Sequence, residues 1–132
     1  MMNIDNFRQV NVTYGQHVGD LVLSRFAGIV SEINRKEDLF GRYTDEKFIV
    51  MPRGELNEKN LYSQCERIRK TIEKFKFRFG MDCVRVTVSL GFHLEETIRS
   101  AAESVLFDII DKADQALDLA KQRGRNRIEG WR

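Results

Sequence analysis

The segment GRYTDEKFIVMP, residues 41–52, reads as two short strands joined by a tight, charged turn. The apolar and aromatic residues on both flanks predict a β-hairpin. The turn TDEK carries two acids and one base, whereas many hairpins carry Asn-Gly or Gly-Gly at this point. It is therefore either an ordinary solvated loop or a functional loop whose residues have been exchanged.

Three helices are predicted around this hairpin. Apolar residues recur at helical spacing over residues 18–33, 61–75 and about 99–123. Asn57 is the predicted N-cap of the second helix. Gly124 follows the last periodic residue of the third helix, where a C-terminal glycine is expected.

Three further strands complete the pattern. CVRVTVSLG, residues 83–91, alternates strictly between apolar and polar residues and predicts one half-buried strand. MMNIDNF, residues 1–7, and NRIEGW, residues 126–131, are predicted as the first and last strands. The order strand, helix, hairpin, helix, strand, helix, strand predicts an α/β fold with helices covering a mixed sheet.

The composition suits one globular domain. Of 132 residues, 42% are hydrophobic and 32% charged, which fits neither a disordered chain nor a membrane protein. No apolar run reaches transmembrane length, and residues 1–7 lack the regions of a signal peptide. The net charge of +2 argues neither for nor against nucleic acid, because acids and bases are well mixed. Nucleic acid is not among the partners that we expect. Cys65 and Cys83 lie in apolar-patterned segments, which favours buried free thiols and a cytoplasmic location.

Taken in order along the chain, these segments resemble the GGDEF domain family, the diguanylate cyclases that condense two GTP molecules into cyclic di-GMP. The similarity rests on the segments NIDNFRQVNVTYGQHVGD, RKEDLFGRY, FIVMP, VTVSLG and ADQALDLAKQRGRNRI. It implies a single GGDEF-like domain over residues 1–132, with a nucleotide-cyclase-like mixed central sheet, helices on both faces and an active-site β-hairpin.

The resemblance gives the charged turn a meaning, because TDEKF stands where the family has its Gly-Gly-Asp/Glu-Glu-Phe signature. In the family the two glycines let the backbone approach the GTP phosphates, and here Thr44 and Asp45 replace them. The two acids that follow help to hold magnesium; Glu46 keeps the first and Lys47 replaces the second. Phe48 keeps the final position.

The magnesium site is altered on the first strand as well. The family's metal-binding aspartate matches Asn3, whereas the next aspartate is kept as Asp5. Magnesium prefers anionic oxygen ligands, so Mg²⁺ is expected only if GTP binds, held weakly by Asp5 and Glu46. Asp45 adds charge beside a triphosphate: at about 5 Å and an effective dielectric near 20 the repulsion costs roughly 3 kcal/mol, about a hundredfold in rate or affinity. The resemblance therefore implies a domain without an intact set of catalytic residues.

The residues that recognise a guanine nucleotide are retained. Asn11 and Asp20 match those that bind the base, and Lys121 and Arg125 match those that contact the phosphates. From position alone, the first pair belongs to a loop that opens the first helix, and the second pair closes the third helix. Capping and complementation of the helix dipole are the ordinary roles there. GTP binding without turnover is one expectation.

The family's inhibitory site for its product is also retained. Arg35 and Asp38, in RKED, match its Arg-x-x-Asp motif at the family's spacing from the signature, and Arg67 on the next helix matches the arginine that completes it. Guanidinium groups suit phosphate oxygens and guanine edges, and a carboxylate can accept from guanine N–H groups. Taken by itself, RKED is by default a solvated, charged helix end.

Family members usually carry a preceding helix and an Asp-x-Leu-Thr-Gly-Leu-x-Asn-Arg segment, and neither is in this sequence. The resemblance implies that part of the nucleotide pocket and of a homodimer is missing or supplied from elsewhere, and that the partners include other signalling domains or proteins. Three functions stay open. The domain is an inactive regulatory module that binds cyclic di-GMP or GTP, a weakly active cyclase, or a structural domain without ligand.

Overall fold

The computed structural model describes residues 1–95 and 102–132, which form seven strands and four helices. The strands are β1 (Met2–Ile4), β2 (Leu39–Arg42), β3 (Lys47–Met51), β4 (Phe77–Phe79), β5 (Asp82–Val84), β6 (Val88–Phe92) and β7 (Ile128–Gly130). The helices are α1 (Phe7–Tyr14), α2 (Gln16–Ile33), α3 (Glu58–Lys74) and α4 (Glu103–Gln122).

Five strands form the central sheet in the order β2-β3-β1-β6-β7. Only the β6–β7 pair is parallel among the described strands of this sheet, so the predicted mixed sheet is confirmed. The predicted hairpin is also confirmed as β2 and β3, paired from Leu39–Met51 to Arg42–Phe48. β4 and β5 form a separate two-stranded sheet, which the sequence pattern did not predict.

One face of the central sheet packs against α2 and α3 and holds the main core. Val84, Val86, Val88 and Leu90 are all buried, as their alternation predicts. They pack with buried helical residues: Val22, Leu23, Phe26, Val30, Leu61, Ile68 and Ile72. The prediction of one continuous strand over residues 83–91 is wrong, because β5 ends at Val84 and β6 begins at Val88.

The other face is covered by α4 at short range. Ala116, Leu117 and Ala120 are buried there. Gly91 in β6 permits this approach, since a Cβ at that position would lie 2.0 Å from the Leu117 nitrogen and 2.5 Å from the Ala113 oxygen. Helices on both faces of the sheet are therefore confirmed. The predicted start of this helix, residues 99–101, lies outside the described residues.

The segment after β1 differs from the prediction. It was expected to be a loop opening a single helix, but it forms α1, and Gly15 with φ 91° separates α1 from α2. Asn11 therefore lies on α1 and Asp20 lies within α2. The first-strand prediction holds only for Met2–Ile4, because Phe7 already begins α1.

The two cysteines differ in environment. Cys65 packs against the core from α3, and burial raises the pKa of its thiol to about 11. Cys83 is exposed on β5, so the prediction of a buried thiol is wrong there. Among residues 1–95 and 102–132, no helix combines the length and apolar content needed to cross a membrane.

Candidate functional site

The altered signature turn is closed by the side chain of Arg42. Its guanidinium donates to the carbonyl oxygens of Thr44 (3.3 Å) and Asp45 (3.0 Å). The Tyr43 amide donates to the Lys47 carbonyl at 2.8 Å and completes the hairpin. No residue of the turn has a positive φ, so its backbone needs no glycine. The exchange of both glycines is therefore compatible with the hairpin, whatever it does to a ligand.

Lys47, which replaces the second acid of the signature, is ion-paired. Its ammonium lies 2.8 Å from the Asp114 carboxylate on α4. In the sheet, Lys47 is the register partner of Asn3, the residue at the lost metal-binding aspartate. A cation therefore occupies the side of the sheet on which the family arranges acids around magnesium.

Asp5 is buried and its carboxylate is already engaged. It accepts hydrogen bonds from the Ser89 hydroxyl (2.6 Å), the Thr87 hydroxyl (2.7 Å) and the Asn126 backbone amide (2.9 Å). Glu46 is half-buried, and its carboxylate makes no hydrogen bond or ion pair within the described part of the chain. The described residues contain no cluster of three metal-binding side chains. Because Asn3 is neutral, Asp5 is engaged and Lys47 is positive, these residues do not fit a magnesium ion.

The predicted base-binding residues lie together where α1 meets α2. Asn11 packs against Gly19, where a Cβ would lie 1.8 Å from the Asn11 Oδ1 atom. That oxygen is buried and has no hydrogen-bond partner among the described residues. Asp20 is exposed beside it and lines an open groove of about 550 Å³ between α2 and the hairpin, together with Arg42 and Phe48.

The predicted phosphate-binding residues lie elsewhere, at the end of α4. Lys121 is in its last turn, and Arg125 follows in the connection to β7. Neither side chain makes a hydrogen bond or an ion pair within residues 1–95 or 102–132. Neither residue lines the groove of Asp20.

The three predicted product-site residues line one groove of about 280 Å³ at the end of α2. The guanidinium groups of Arg35 and Arg67 are exposed and have no partner in the described part of the chain. Asp38 is fixed in the same groove, because its carboxylate accepts from the backbone amides of Arg35 (3.0 Å) and Arg53 (3.1 Å). RKED is thus an ordered turn that faces α3.

Gln64 is a further residue of this groove that the sequence did not indicate. Its amide donates to Asn34 Oδ1 at 3.0 Å and reaches the Asp38 carboxylate at 3.5 Å. The Asn34 Nδ2 atom is buried and has no partner within the described residues. Gln64 precedes Arg67 by three residues on α3, so helical spacing could have placed it on the same face.

A second polar cluster joins α3 to the turn before β7. Arg69 binds Glu66 at 2.6 Å and Asn126 Oδ1 at 2.9 Å, and the Asn126 amide donates to Glu73. The hydrogen bond from Arg69 lowers the pKa of Glu66, and the one from Asn126 lowers the pKa of Glu73. These groups hold the segment that carries Arg125.

Comparison with known proteins places this fold in one family. The sequence profile of the GGDEF domain, described as diguanylate cyclase, matches residues 1–127. The chain belongs to the GGDEF family. Diguanylate cyclase A of Treponema denticola is 37% identical over 131 residues, which cover 97% of this chain and 33% of that protein. This GGDEF domain thus spans about a third of that relative's length.

Solved structures agree with the GGDEF assignment. The GGDEF domain of DgcB from Caulobacter crescentus, solved in complex with cyclic di-GMP, has a TM-score of 0.84 at 26% identity and covers 98% of this chain and 74% of that one. Diguanylate cyclase SiaD from Pseudomonas aeruginosa, solved with its activator SiaC, has a TM-score of 0.83 at 32% identity, covering 98% and 47%. This chain is a GGDEF domain of the diguanylate cyclase type, the class that acts in cyclic di-GMP signalling.

Proposed function

We propose that this GGDEF domain is a regulatory module that binds cyclic di-GMP and does not synthesise it. The observation that carries the proposal is the groove in which Arg35, Asp38 and Arg67 lie together. The same chain has lost both glycines and one acid of its signature turn. In this proposal the chain retains the residues that recognise the product but not those that catalyse its synthesis.

The groove offers the groups that a cyclic dinucleotide needs. Arg35 and Arg67 have guanidinium groups that are unpaired among residues 1–95 and 102–132, and these suit the phosphates and the acceptor edge of guanine. Asp38 is held in place by two backbone amides and can accept from guanine N–H groups. Each charge-assisted hydrogen bond is worth roughly 1.5–3 kcal/mol. Three of them contribute roughly 4.5–9 kcal/mol before the ordering cost of association. Because micromolar affinity corresponds to about 8 kcal/mol, burial of the guanine bases against the groove would have to supply the remainder.

A guanine nucleotide at the former substrate site is the second candidate ligand. Two observations favour it: the Asn11 oxygen is buried with no partner among the described residues, and Asp20 is exposed on the neighbouring helix. An amide and a carboxylate together can satisfy the edge of guanine. In this proposal the phosphates extend out of the groove of Asp20 to Lys121 and Arg125, which do not line it. This binding would not depend on magnesium, because Asp5 is engaged by three donors and Lys47 by Asp114.

Two other functions remain as outcomes of the test. A weakly active cyclase would bind GTP with a divalent metal and release cyclic di-GMP. A structural or dimerisation domain would bind neither nucleotide. In the regulatory function, ligand binding changes how this domain interacts with another signalling domain or protein, or with a second copy of this chain.

Isothermal titration calorimetry with cyclic di-GMP tests the proposal. We expect roughly micromolar binding by the wild-type chain, and a loss of about tenfold or more for Arg35→Ala and for Arg67→Ala. Binding should weaken at high salt because the contacts are ionic. Asp38→Asn is a better variant than Asp38→Ala, since it keeps an oxygen for one of the two backbone amides.

Arg78→Ala is the matched control, because this arginine is exposed on β4 and lines no part of the groove. It should bind as the wild type does. Absence of wild-type binding at high-micromolar ligand would remove the site, as would equal binding by the control and the groove variants. Titration with GTP, with and without Mg²⁺, tests the second ligand in the same way.

A further inference from the structure

The connection between α4 and β7 has an uncommon backbone conformation. Arg125 has φ 64° and Asn126 has φ 47°, directly after Gly124 with φ 121°. In the described part of the chain, Asn6 is the only other non-glycine residue with positive φ. Asparagine tolerates the left-handed region better than most residues, whereas arginine does not favour it. Such a conformation persists only where the surroundings hold it.

Asn126 is the residue that the surroundings hold. Its backbone amide donates to the buried Asp5 carboxylate at 2.9 Å. Its side-chain oxygen accepts from Arg69 at 2.9 Å, and its side-chain nitrogen donates to Glu73. Asp5 is in turn fixed to β6 by the Ser89 hydroxyl at 2.6 Å. Asn126 is therefore bound to the central sheet through its backbone and to α3 through its side chain.

Arg125 itself is held only by its backbone. Its amide donates to the Ala120 carbonyl at 3.0 Å, and its carbonyl accepts from Arg127 at 3.3 Å. The guanidinium makes no hydrogen bond or ion pair with another described residue. The left-handed turn sets the direction in which the Arg125 side chain projects from the backbone. The contacts of Asn126 hold that turn in place.

We propose that Asn126, held by Arg69 and Glu73, is a positioning residue that aims Arg125 at the phosphates of a bound guanine nucleotide. This rests on the proposed nucleotide site, in which Arg125 makes the phosphate contact. Asn126 does not touch the ligand; it acts through Arg125. Glu73 and Arg69 act one step further away, through Asn126.

A double-mutant cycle on GTP affinity tests this. Arg125→Ala removes one charge-assisted contact and should weaken binding about tenfold or more. Asn126→Ala should weaken it by several-fold in the wild-type background. In the Arg125→Ala background, Asn126→Ala should have no further effect, because the group that it positions is gone. A purely structural role would lower affinity equally in both backgrounds, and that result would overturn the proposal.

Conservative variants sharpen the result. Glu73→Gln keeps an acceptor for the Asn126 amide and should bind GTP nearly as the wild type does, whereas Glu73→Ala should not. Arg123→Ala is the matched control, since this neighbouring arginine pairs with Glu129 at 2.9 Å instead. An equal effect of Glu73→Gln and Glu73→Ala would contradict positioning through that hydrogen bond.

A measurement without nucleotide separates this inference from the proposed function. The intraresidue amide–Hα NOE of Arg125, measured by NMR on the labelled chain, reports the sign of its φ angle, because these two protons are closer at positive φ than at negative φ. We expect a strong NOE in the wild type, where φ is 64°, and a weaker one in Asn126→Ala, where other conformations are averaged. If the NOE is unchanged in Asn126→Ala, the positioning proposal is wrong even if GTP binds. If the wild type does not bind GTP, the nucleotide site is wrong, and the NOE still decides whether Asn126 holds Arg125.

Discussion

Lys47 Nζ lies 2.8 Å from Asp114 Oδ1, and this ion pair ties the altered signature turn to α4. The two side chains are 25% and 29% exposed, so the pair is only partly screened by solvent. The lysine that stands where the family has an acid therefore has its counter-charge within the domain. Its role belongs to the fold of the turn and not to the binding of a metal.

The first prediction concerns the energy of this pair. Lys47→Met and Asp114→Asn should each lower the free energy of unfolding by about 1 kcal/mol or less, as is typical of partly exposed pairs. Because each variant removes the same interaction, the double variant should cost less than the sum of the two. Urea unfolding followed by circular dichroism measures all four proteins.

Lys36→Met is the control for this cycle, because Lys36 is exposed and has no partner within the described residues. It should combine additively with Asp114→Asn. Strict additivity of Lys47→Met with Asp114→Asn would show that the ion pair contributes nothing in solution.

The sequence predicted the sheet, the hairpin and the three long helices, because each has a hydrophobic period long enough to be recognised. It missed α1, since Asn11, Thr13 and Gly15 look like a loop and the burial of Phe7 and Val10 depends on α2. It also joined β5 to β6, because the alternation of buried residues continues through residues 85–87 although the strand pairing does not. Periodicity reports burial, whereas hydrogen-bonded pairing depends on the neighbouring strand.

The product groove could be predicted from the sequence, whereas the contacts around the signature turn could not. Arg35, Asp38 and Arg67 could be named from motif spacing, and they do line one groove. The partners of Asp5 and Lys47 could not be named, because Asn126 and Asp114 lie 121 and 67 residues away along the chain. Contacts of that separation depend on how β1 and β3 pack against α4 and its following turn.

The second prediction is that the chain does not form cyclic di-GMP. Phosphoryl transfer depends on metal-borne charge and close backbone approach, and the turn offers Asp45 and Lys47 in place of a glycine and an acid. Incubation with GTP and Mg²⁺ or Mn²⁺, followed by chromatography, measures this, with an active diguanylate cyclase as the positive control. Product above the protein-free background would establish the alternative of a weakly active cyclase.

The third prediction concerns the two thiols. Burial raises the pKa of Cys65 to about 11 from an ordinary value of 9.0, so its reactive thiolate is scarce in the folded chain below that pH. Cys83 is exposed. Iodoacetamide at pH 8 should therefore alkylate Cys83 much faster, as peptide mass spectrometry would record, and both should react in urea.

The sign of the effect on stability follows from the same pKa. Above pH 9 the unfolded chain ionises Cys65 while the folded chain does not, so stability should fall as pH rises from 9 towards 11. Cys65→Ala should remove that part of the pH dependence. Equal alkylation of both thiols in the folded protein would show that α3 opens readily or that Cys65 is accessible.

The last prediction separates charge from shape at the signature turn. Asp45 is exposed, so its repulsion of a triphosphate about 5 Å away is closer to 1 kcal/mol in a water-like dielectric near 80 than to the roughly 3 kcal/mol of a partly buried charge. Asp45→Asn removes the charge and keeps the side chain, and it should tighten GTP binding by about fivefold. Asp45→Gly removes the Cβ as well, so that a ligand can approach the backbone, and it should bind GTP at least as tightly. The turn itself needs no glycine, because none of its residues has a positive φ.

Asp82→Asn, which alters an exposed acid on β5, controls for the change in net charge. If only Asp45→Gly tightens GTP binding, the Cβ of Asp45 is the obstacle. If both variants tighten it, the charge is the obstacle. If neither changes it, the turn lies away from the phosphates.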